Sequence, residues 1–400
     1  MNEDSALNIL PEFSLRQLIQ KIATNRIDDD DRSFYIANIG DVIYKVQRWM
    51  SLLPRVQPFY AVKCNNDINL LATLNALGVG FDAASKNEME AIVKICAHSS
   101  KVIYANPCKQ ISHLKFTERH GIALMTFDNV SELHKIKRCY PEAKLLLRIK
   151  IDDFGTLYHL SEKYGVDIED CPNQLQVARD LQLNVVGIGF HIGGGRYDGE
   201  IFASAIQLAR KAFHYGKSIG YNFDILDIGG GFPGYADAKF ETICAKIRQA
   251  LDEYFPIEDQ VKIMSEPGRY FAERAFHLVM DVIGKREINA KELTAQGEQK
   301  KYAYYVNESL HGSFGNVLHD FDNQSFLPVS KSLEGLFSST VWGYSCSGLD
   351  YLLKECQLLE ALVRISRYSI VLLMALANLL HTILSSYQFG RQLKKNYQNA

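Results

Sequence analysis

A set of groups able to do chemistry stands at the ends of short apolar runs in this chain. Lys63 follows PFYAV (58–62), Asp82 closes GVGFD (78–82), Arg148 lies in KLLLRI (144–149) and His191 closes NVVGIGFH (184–191). Gly229, Gly230 and Gly231 end and follow ILDIG (225–229), and Glu266 closes KIMSE (262–266), three residues before Arg269. Each has an ordinary reading when taken alone. A lysine at a strand end is usually solvated, a histidine commonly satisfies a backbone group, and glycines serve tight turns. Taken together they point further. A lysine is a nucleophile towards aldehydes, and glycines let backbone N–H groups approach a phosphate. With a flat aromatic side chain and a Glu-x-x-Arg pair, the set suggests a phosphorylated aromatic cofactor held covalently by the lysine.

The elements that must position these groups recur along the chain. Further apolar runs are VIYAN (102–106) and ALMTF (123–127), and amphipathic stretches at 67–77, 86–96, 130–139 and 200–219 follow the runs. Strand then helix at this spacing means βαβ units and a parallel sheet. Eight units predict a closed (β/α)8 barrel in preference to a doubly wound sheet, and such a barrel gathers reactive groups at the C-terminal ends of its strands. The glycine turn follows the seventh run, where barrel phosphate sites often lie. The barrel is expected over residues 34–275, after an N-terminal segment 1–33. From 276 the pattern alternates as in antiparallel strands, giving a β-rich domain to 356, interrupted by the charged connector KREINAKELTAQGEQKK.

Hydrophobic residues make up 47% and charged residues 22% of the 400, with a formal net charge of −2. That balance argues against a nucleic-acid partner. The eight cysteines are scattered, without a C-x-x-C pair, as expected of reduced cytoplasmic thiols, and no metal site is expected. The acidic N-terminus lacks the order of a signal peptide.

Long motifs then identify a resemblance. PFYAVKCN (58–65), GFDAASKNE (80–88), VIYANPCKQ (102–110), GFHIGGG, LDIGGGFPG (226–234), SEPGRY (265–270), YYVNESLHGSFGNVLHD (304–320) and WGYSCSGLD (342–350) are similar to eukaryotic ornithine decarboxylase, a fold-type III pyridoxal-phosphate family. The similarity spans about residues 30–356. It implies an alanine-racemase-like α/β fold, a barrel plus a β-domain, working as a homodimer with shared active sites. By the same resemblance Lys63 bonds to the cofactor aldehyde, Glu266 faces the pyridine nitrogen and His191 stacks on the ring. Asp82, Glu88 and Arg148 orient lysine and ring. Gly229–Gly231 and the Glu266, Pro267, Gly268, Arg269 segment complete the cofactor site. His319 and Asp320 lie at the substrate, where Asp320 holds the distal amine of ornithine. Cys346 enters from the partner to protonate the substrate carbon, and Lys163 with Asp350 matches an interface salt bridge.

The departures fall on working parts. Ser347 stands where the family has a second substrate carboxylate. A charge-assisted hydrogen bond contributes roughly 1.5–3 kcal/mol, so its loss implies about ten- to a hundredfold weaker ornithine binding. Gly194 replaces a phosphate-binding serine, with Arg196 a candidate replacement contact; His311 replaces a tyrosine and Tyr344 a proline. After Cys356 the resemblance stops, and residues 357–400 are expected to form a divergent apolar tail that leaves the β-domain short of its closing strands. The stretch from Tyr368 to Gly390 is 23 uncharged residues, long enough for a bilayer. Asn378, His381 and several hydroxyl residues argue against membrane insertion; a packed helix and an altered reading frame are the other readings.

Three functions follow from the resemblance. The first is decarboxylation of L-ornithine to putrescine and CO2. The second is a non-catalytic regulator that binds antizyme through 109–144, with Lys115, Lys135, Lys137 and Arg138 as contacts. The third is a decarboxylase of another basic amino acid.

Overall fold

The computed structural model describes residues 15, 17–19, 21–22, 31–151, 160–193, 198–288, 301–315, 324–328, 336–359 and 369–374. The chain divides into two compact units, Ile39–Ala275 and Met1–Asn38 with Phe276–Ala400.

After β1 (Phe34–Ala37) the first of these units opens with α1 (Ile39–Leu52) and then alternates strand and helix. The succession is β2 (Val56–Ala61), α2 (Ile68–Ala76), β3 (Gly80–Ala83), α3 (Lys86–Lys94), β4 (Val102–Tyr104), α4 (Ile111–Arg119), β5 (Leu124–Phe127), α5 (Val130–Cys139), β6 (Lys144–Arg148) and α6 (Cys171–Asp180). It continues through β7 (Asn184–Gly189), α7 (Gly199–Ser218), β8 (Ile225–Asp227), α8 (Asp237–Tyr254), β9 (Lys262–Ser265) and α9 (Arg269–Ala272). Strands β2 to β9 are parallel and close into a barrel through the β9–β2 pair. The runs read from periodicity are these strands. Their interior is filled by Phe59, Ile103, Leu146 and Met264, with Leu124, Val186 and Ile225 against them. Helices start where a side chain caps free N–H groups: Asp67 accepts from Asn69 and Leu70, Ser85 from Glu88, Asn129 from Glu132 and Asp198 from Glu200.

The other unit is a mainly antiparallel sheet. Its strands are β1, β10 (Phe276–Ile288), β11 (Lys301–Val306), β12 (Gln324–Pro328), β13 (Leu336–Trp342), β14 (Tyr351–Leu359) and β15 (Ser369–Met374), in the order β12-β15-β10-β11-β13-β14 with β1 also on β10. The β11–β13 pair is parallel. Alternate residues Leu278 and Met280, Tyr302, Tyr304 and Val306 point into one core with Val341, Leu352 and Leu358.

Two boundaries differ from the sequence reading. Phe34–Ala37, expected to open the barrel, pairs instead with Phe276–Val279. The sheet also runs past 356: β14 reaches Leu359, and Ser369–Met374 lies between β10 and β12. A short aliphatic run satisfies a strand as well as a buried helix, so periodicity could not separate the two; pairing on both sides decides it. Among the described residues no helix is long and apolar enough to cross a membrane. The rest of the stretch to Gly390 lies outside the described residues.

Candidate active site

Lys63 stands on one turn of 3-10 helix, Val62–Cys64, directly after β2. The β2–β3 register sets Ala61 opposite Asp82, so the lysine two residues on reaches back across the barrel rim. Its Nζ donates to Asp82 Oδ2 at 2.5 Å, with the lysine side chain 49% exposed and that of Asp82 wholly buried. Burial disfavours the ammonium, but Asp82, Glu266 and Glu88 outweigh it and hold the lysine pKa above its ordinary value. Glu88, in the first turn of α3, accepts from Ala84 N–H at 2.7 Å; burial raises its pKa, assisted by Asp82.

Arg148 ends β6, with its guanidinium 5.4 Å from the centre of the Tyr164 ring. Burial lowers its pKa, opposed by Glu266, Asp128 and Asp227. His191 follows β7. Its Nδ1 accepts from Gly193 N–H at 2.9 Å, which leaves the proton of the neutral ring on Nε2. Burial, then Arg148 and Lys63, hold its pKa well below the usual value.

The glycine turn needs its glycines. Gly231 has φ +106°, and a Cβ there would lie 2.6 Å from Gly193 O. A Cβ on Gly230 would lie 2.6 Å from Glu266 O and 2.9 Å from His191 Nε2. The N–H of Gly229 donates to Asp227 Oδ1 at 2.9 Å. The N–H of Gly229 is therefore engaged within the turn itself.

Glu266, directly after β9, is buried, and its N–H donates to Gly229 O at 2.7 Å. Ser265 Oγ donates to the same carbonyl at 2.6 Å. The carbonyl of Pro267 accepts from Ala61 N–H at 3.1 Å, which ties the end of β9 to the end of β2 and so Glu266 to Lys63. A Cβ on Gly268 would lie 3.0 Å from Cys64 Cβ, and Arg269 opens α9 on the same rim.

Asp227 is the residue that sequence reasoning missed. It is buried at the end of β8 and hydrogen-bonds carboxyl to carboxyl with Glu266. Burial pushes Asp227 up to about 7; burial, Asp227 and Asp82 push Glu266 well above the carboxylate range. Two such groups in one desolvated place share a proton. The signal was available, because Asp227 occupies the same strand-end position as the other site residues.

Lys63, Asp82, Glu88, Arg148, His191, Gly229, Gly230, Gly231, Glu266, Pro267, Gly268 and Arg269 thus meet at one end of the barrel. Gly194, Arg196, His319 and Asp320 lie outside the described residues. Cys346 and Ser347 belong to the other unit, on the loop between β13 and β14, where the thiol is exposed. That loop is organised by Asp350, a buried carboxylate that accepts from Ser309 Oγ at 3.0 Å, Leu310 N–H at 2.8 Å and Ser345 N–H at 2.9 Å. The acid that the resemblance pairs with Lys163 is thereby engaged within its own unit. Ser347 Oγ accepts from Leu349 N–H at 3.2 Å.

The pocket has the features that pyridoxal phosphate needs. Asp82 Oδ1 is buried with no hydrogen-bond partner among the described residues. An amine stands beside it, a second acid lies within electrostatic reach of that amine, and the glycine turn, which packs too closely on His191 and Glu266 to admit a Cβ, brings its backbone to the same rim. Barrel and pocket together define a pyridoxal-phosphate protein of the barrel class. Comparison with known proteins carries this further. Residues 39–273 match the pyridoxal binding domain of pyridoxal-dependent decarboxylases. Ornithine decarboxylase of Rattus norvegicus is 40% identical over 368 residues, 90% of this chain and 80% of that protein. Antizyme inhibitor 2 of Xenopus laevis is 40% identical over 366 residues, again 90% and 80%. The crystal structure of the Paramecium bursaria Chlorella virus arginine decarboxylase has a TM-score of 0.83 at 32% identity, covering 93% of this chain and 97% of that one. The chain belongs to the ornithine decarboxylase family of pyridoxal-dependent carboxy-lyases, and its cofactor is pyridoxal 5′-phosphate.

Proposed function

We propose that this chain decarboxylates L-ornithine to putrescine and CO2, as a cytoplasmic homodimer with shared active sites. The observation that carries the reading is the Lys63–Asp82 ion pair, set beside Glu266 and His191 on the rim that also bears the glycine turn. Bound pyridoxal phosphate supplies an electron sink for the pair left behind when the carboxyl departs as CO2. Lys63 would hold the cofactor aldehyde, and Asp82 keeps the amine in place. Glu266 would face the ring nitrogen, and by giving up to it the proton shared with Asp227 would become the carboxylate that favours the protonated ring. His191, neutral and flat, would cover one face of the ring. Asp320 receives the distal ammonium of the substrate, and Ser347 hydrogen-bonds in place of a second carboxylate. The thiol of Cys346, contributed by a second copy, returns a proton to the carbon that lost CO2. Eight unpaired cysteines support a reducing compartment.

A second reading has support of its own. The frog antizyme inhibitor is as similar to this chain as the rat decarboxylase is. Ser347 weakens the substrate end, and Lys115 and Arg138 are exposed on α4 and α5. Lys135 is less available, since it donates to Glu132 and to Lys109 O, each at 2.6 Å. On this reading the chain binds antizyme and does not turn over.

One experiment separates these. Purified protein loaded with pyridoxal phosphate is expected to show visible cofactor absorption and to release CO2 from ornithine faster than from arginine or lysine. A higher rate with arginine or lysine would move the assignment to that substrate. A colourless protein that captures antizyme and releases no CO2 would establish the regulator instead.

A further inference from the structure

The glycine turn that begins at Gly229 ends at Gly234, and the peptide groups of Gly234 are gripped from both sides by buried charges. Lys45, on α1, has a side chain that is 0% exposed, a rare state for lysine. Its Nζ donates to Gly234 O at 2.7 Å and to Asp237 Oδ1 at 3.0 Å, and lies 4.9 Å from the centre of the Tyr270 ring. From the other side Glu273 Oε2 accepts from Gly234 N–H at 2.8 Å. A Cβ on Gly234 would lie 2.5 Å from Glu273 Cβ and 2.8 Å from Arg269 O, so the fit admits only glycine. Glu273 stands one turn beyond Arg269 and donates its own N–H to Arg269 O at 2.9 Å.

Burying a lysine and a glutamate is costly, and apolar side chains of similar volume would fill the same space with less penalty. What apolar packing does not supply is direction. Donor and acceptor here meet the carbonyl and the N–H of one residue and fix the orientation of the turn. Asp41, Asp237 and Arg274 complete the surrounding charge, with Arg274 at 3.4 Å from both acids. At the opposite end of the turn Gly229 is held in the same manner, by Asp227 on its N–H and by Ser265 and Glu266 N–H on its carbonyl.

We infer that Lys45 and Glu273 are positioning residues for the cofactor phosphate, acting through Gly234 on the turn that cradles it. The inference rests on the reading of this turn as the phosphate site.

The test compares equilibrium binding of pyridoxal 5′-phosphate and of pyridoxal, which lacks the phosphate, to full-length wild type, Lys45→Met and Glu273→Gln. Each variant is expected to lose about tenfold or more in affinity for the phosphorylated compound while pyridoxal changes by less than about twofold. Thermal midpoints of the cofactor-free proteins are recorded beside these values, since a purely structural role would lower the midpoint and weaken both compounds alike. Equal losses, or none, would overturn the inference. If Lys45→Met does not fold, the near-isosteric Glu273→Gln reads the same ratio. A wild type that binds neither compound overturns the cofactor reading and this inference with it. A wild type that binds both, with unchanged selectivity in the variants, overturns this inference alone.

Discussion

Asp227 and Glu266 place two carboxyls in one desolvated spot, and that has a consequence for stability. Burial beside Glu266 pushes the Asp227 carboxyl up to about 7, against an ordinary value of 3.8. Between these values the folded chain keeps a proton that the unfolded chain has lost. Stability contributed by the protonated pair is therefore complete below the lower value and declines as pH rises towards the upper one, by up to about 1.4 kcal/mol per pH unit. His191, whose pKa is lowered, works in the opposite direction below its ordinary value. Asp82, Arg148 and Lys63 also face the pair. The comparison that isolates the pair is wild type against Asp227→Asn, both free of cofactor. The thermal midpoint of the wild type is expected to fall relative to the variant from pH 4 to pH 7, and parallel curves would remove the shared proton. Ser347 belongs to the same scale. Ser347→Asp is expected to lower KM for ornithine about ten- to a hundredfold, with kcat changed less, as steady-state kinetics would read.

At the scale of elements, the site depends on where strands stop. Lys63, Asp82, Arg148, His191, Asp227 and Glu266 lie at or just past the ends of β2, β3, β6, β7, β8 and β9. The turn after β8 must then fold back against the ends of β7 and β9, and only residues without a Cβ allow this. Gly231→Ala meets both a positive φ and the carbonyl of Gly193. It is expected to cost about 1–3 kcal/mol in folding stability and to reduce cofactor affinity, measurable by denaturant unfolding and by absorption titration. Retention of full affinity would show that the turn does not cradle the cofactor. Most of this scale was legible beforehand. The barrel runs alternate with helices at a spacing that physics ties to parallel strands, and the Asp and Asn caps at 67, 129 and 198 mark helix starts. Asp227 was not recognised, because a short acid before three glycines reads as part of a turn until its partner at 266 is seen.

For the whole molecule, the proposed sharing of sites between copies makes a quantitative demand. Lys63→Ala and Cys346→Ala chains should each be inactive alone. Mixed and allowed to exchange, half of the dimers pair one of each and hold one native site of two, so activity should return to about a quarter of wild type. No recovery would mean that each site is built from a single chain. The loop bearing Cys346 is suited to presentation by its own unit: Asp350 binds it from within, and Tyr344 and Leu349 beside the thiol are 60% and 73% exposed.

By itself the sequence determined the barrel, the sheet domain that follows it and most of the residues that gather at one end of the barrel, because strand periodicity, caps and long motifs are local properties of the chain. Only the tertiary structure decided which residues meet across distance. It paired Asp227 with Glu266, buried Lys45 against Gly234, committed Lys135 and Lys109 to Glu132, turned Asp350 inward, and drew Phe34–Ala37 and Ser369–Met374 into one sheet. The reason is physical. Burial and hydrogen-bond partners are set by residues far apart in the chain, and a charge or an aliphatic run carries no mark of which neighbour will cover it.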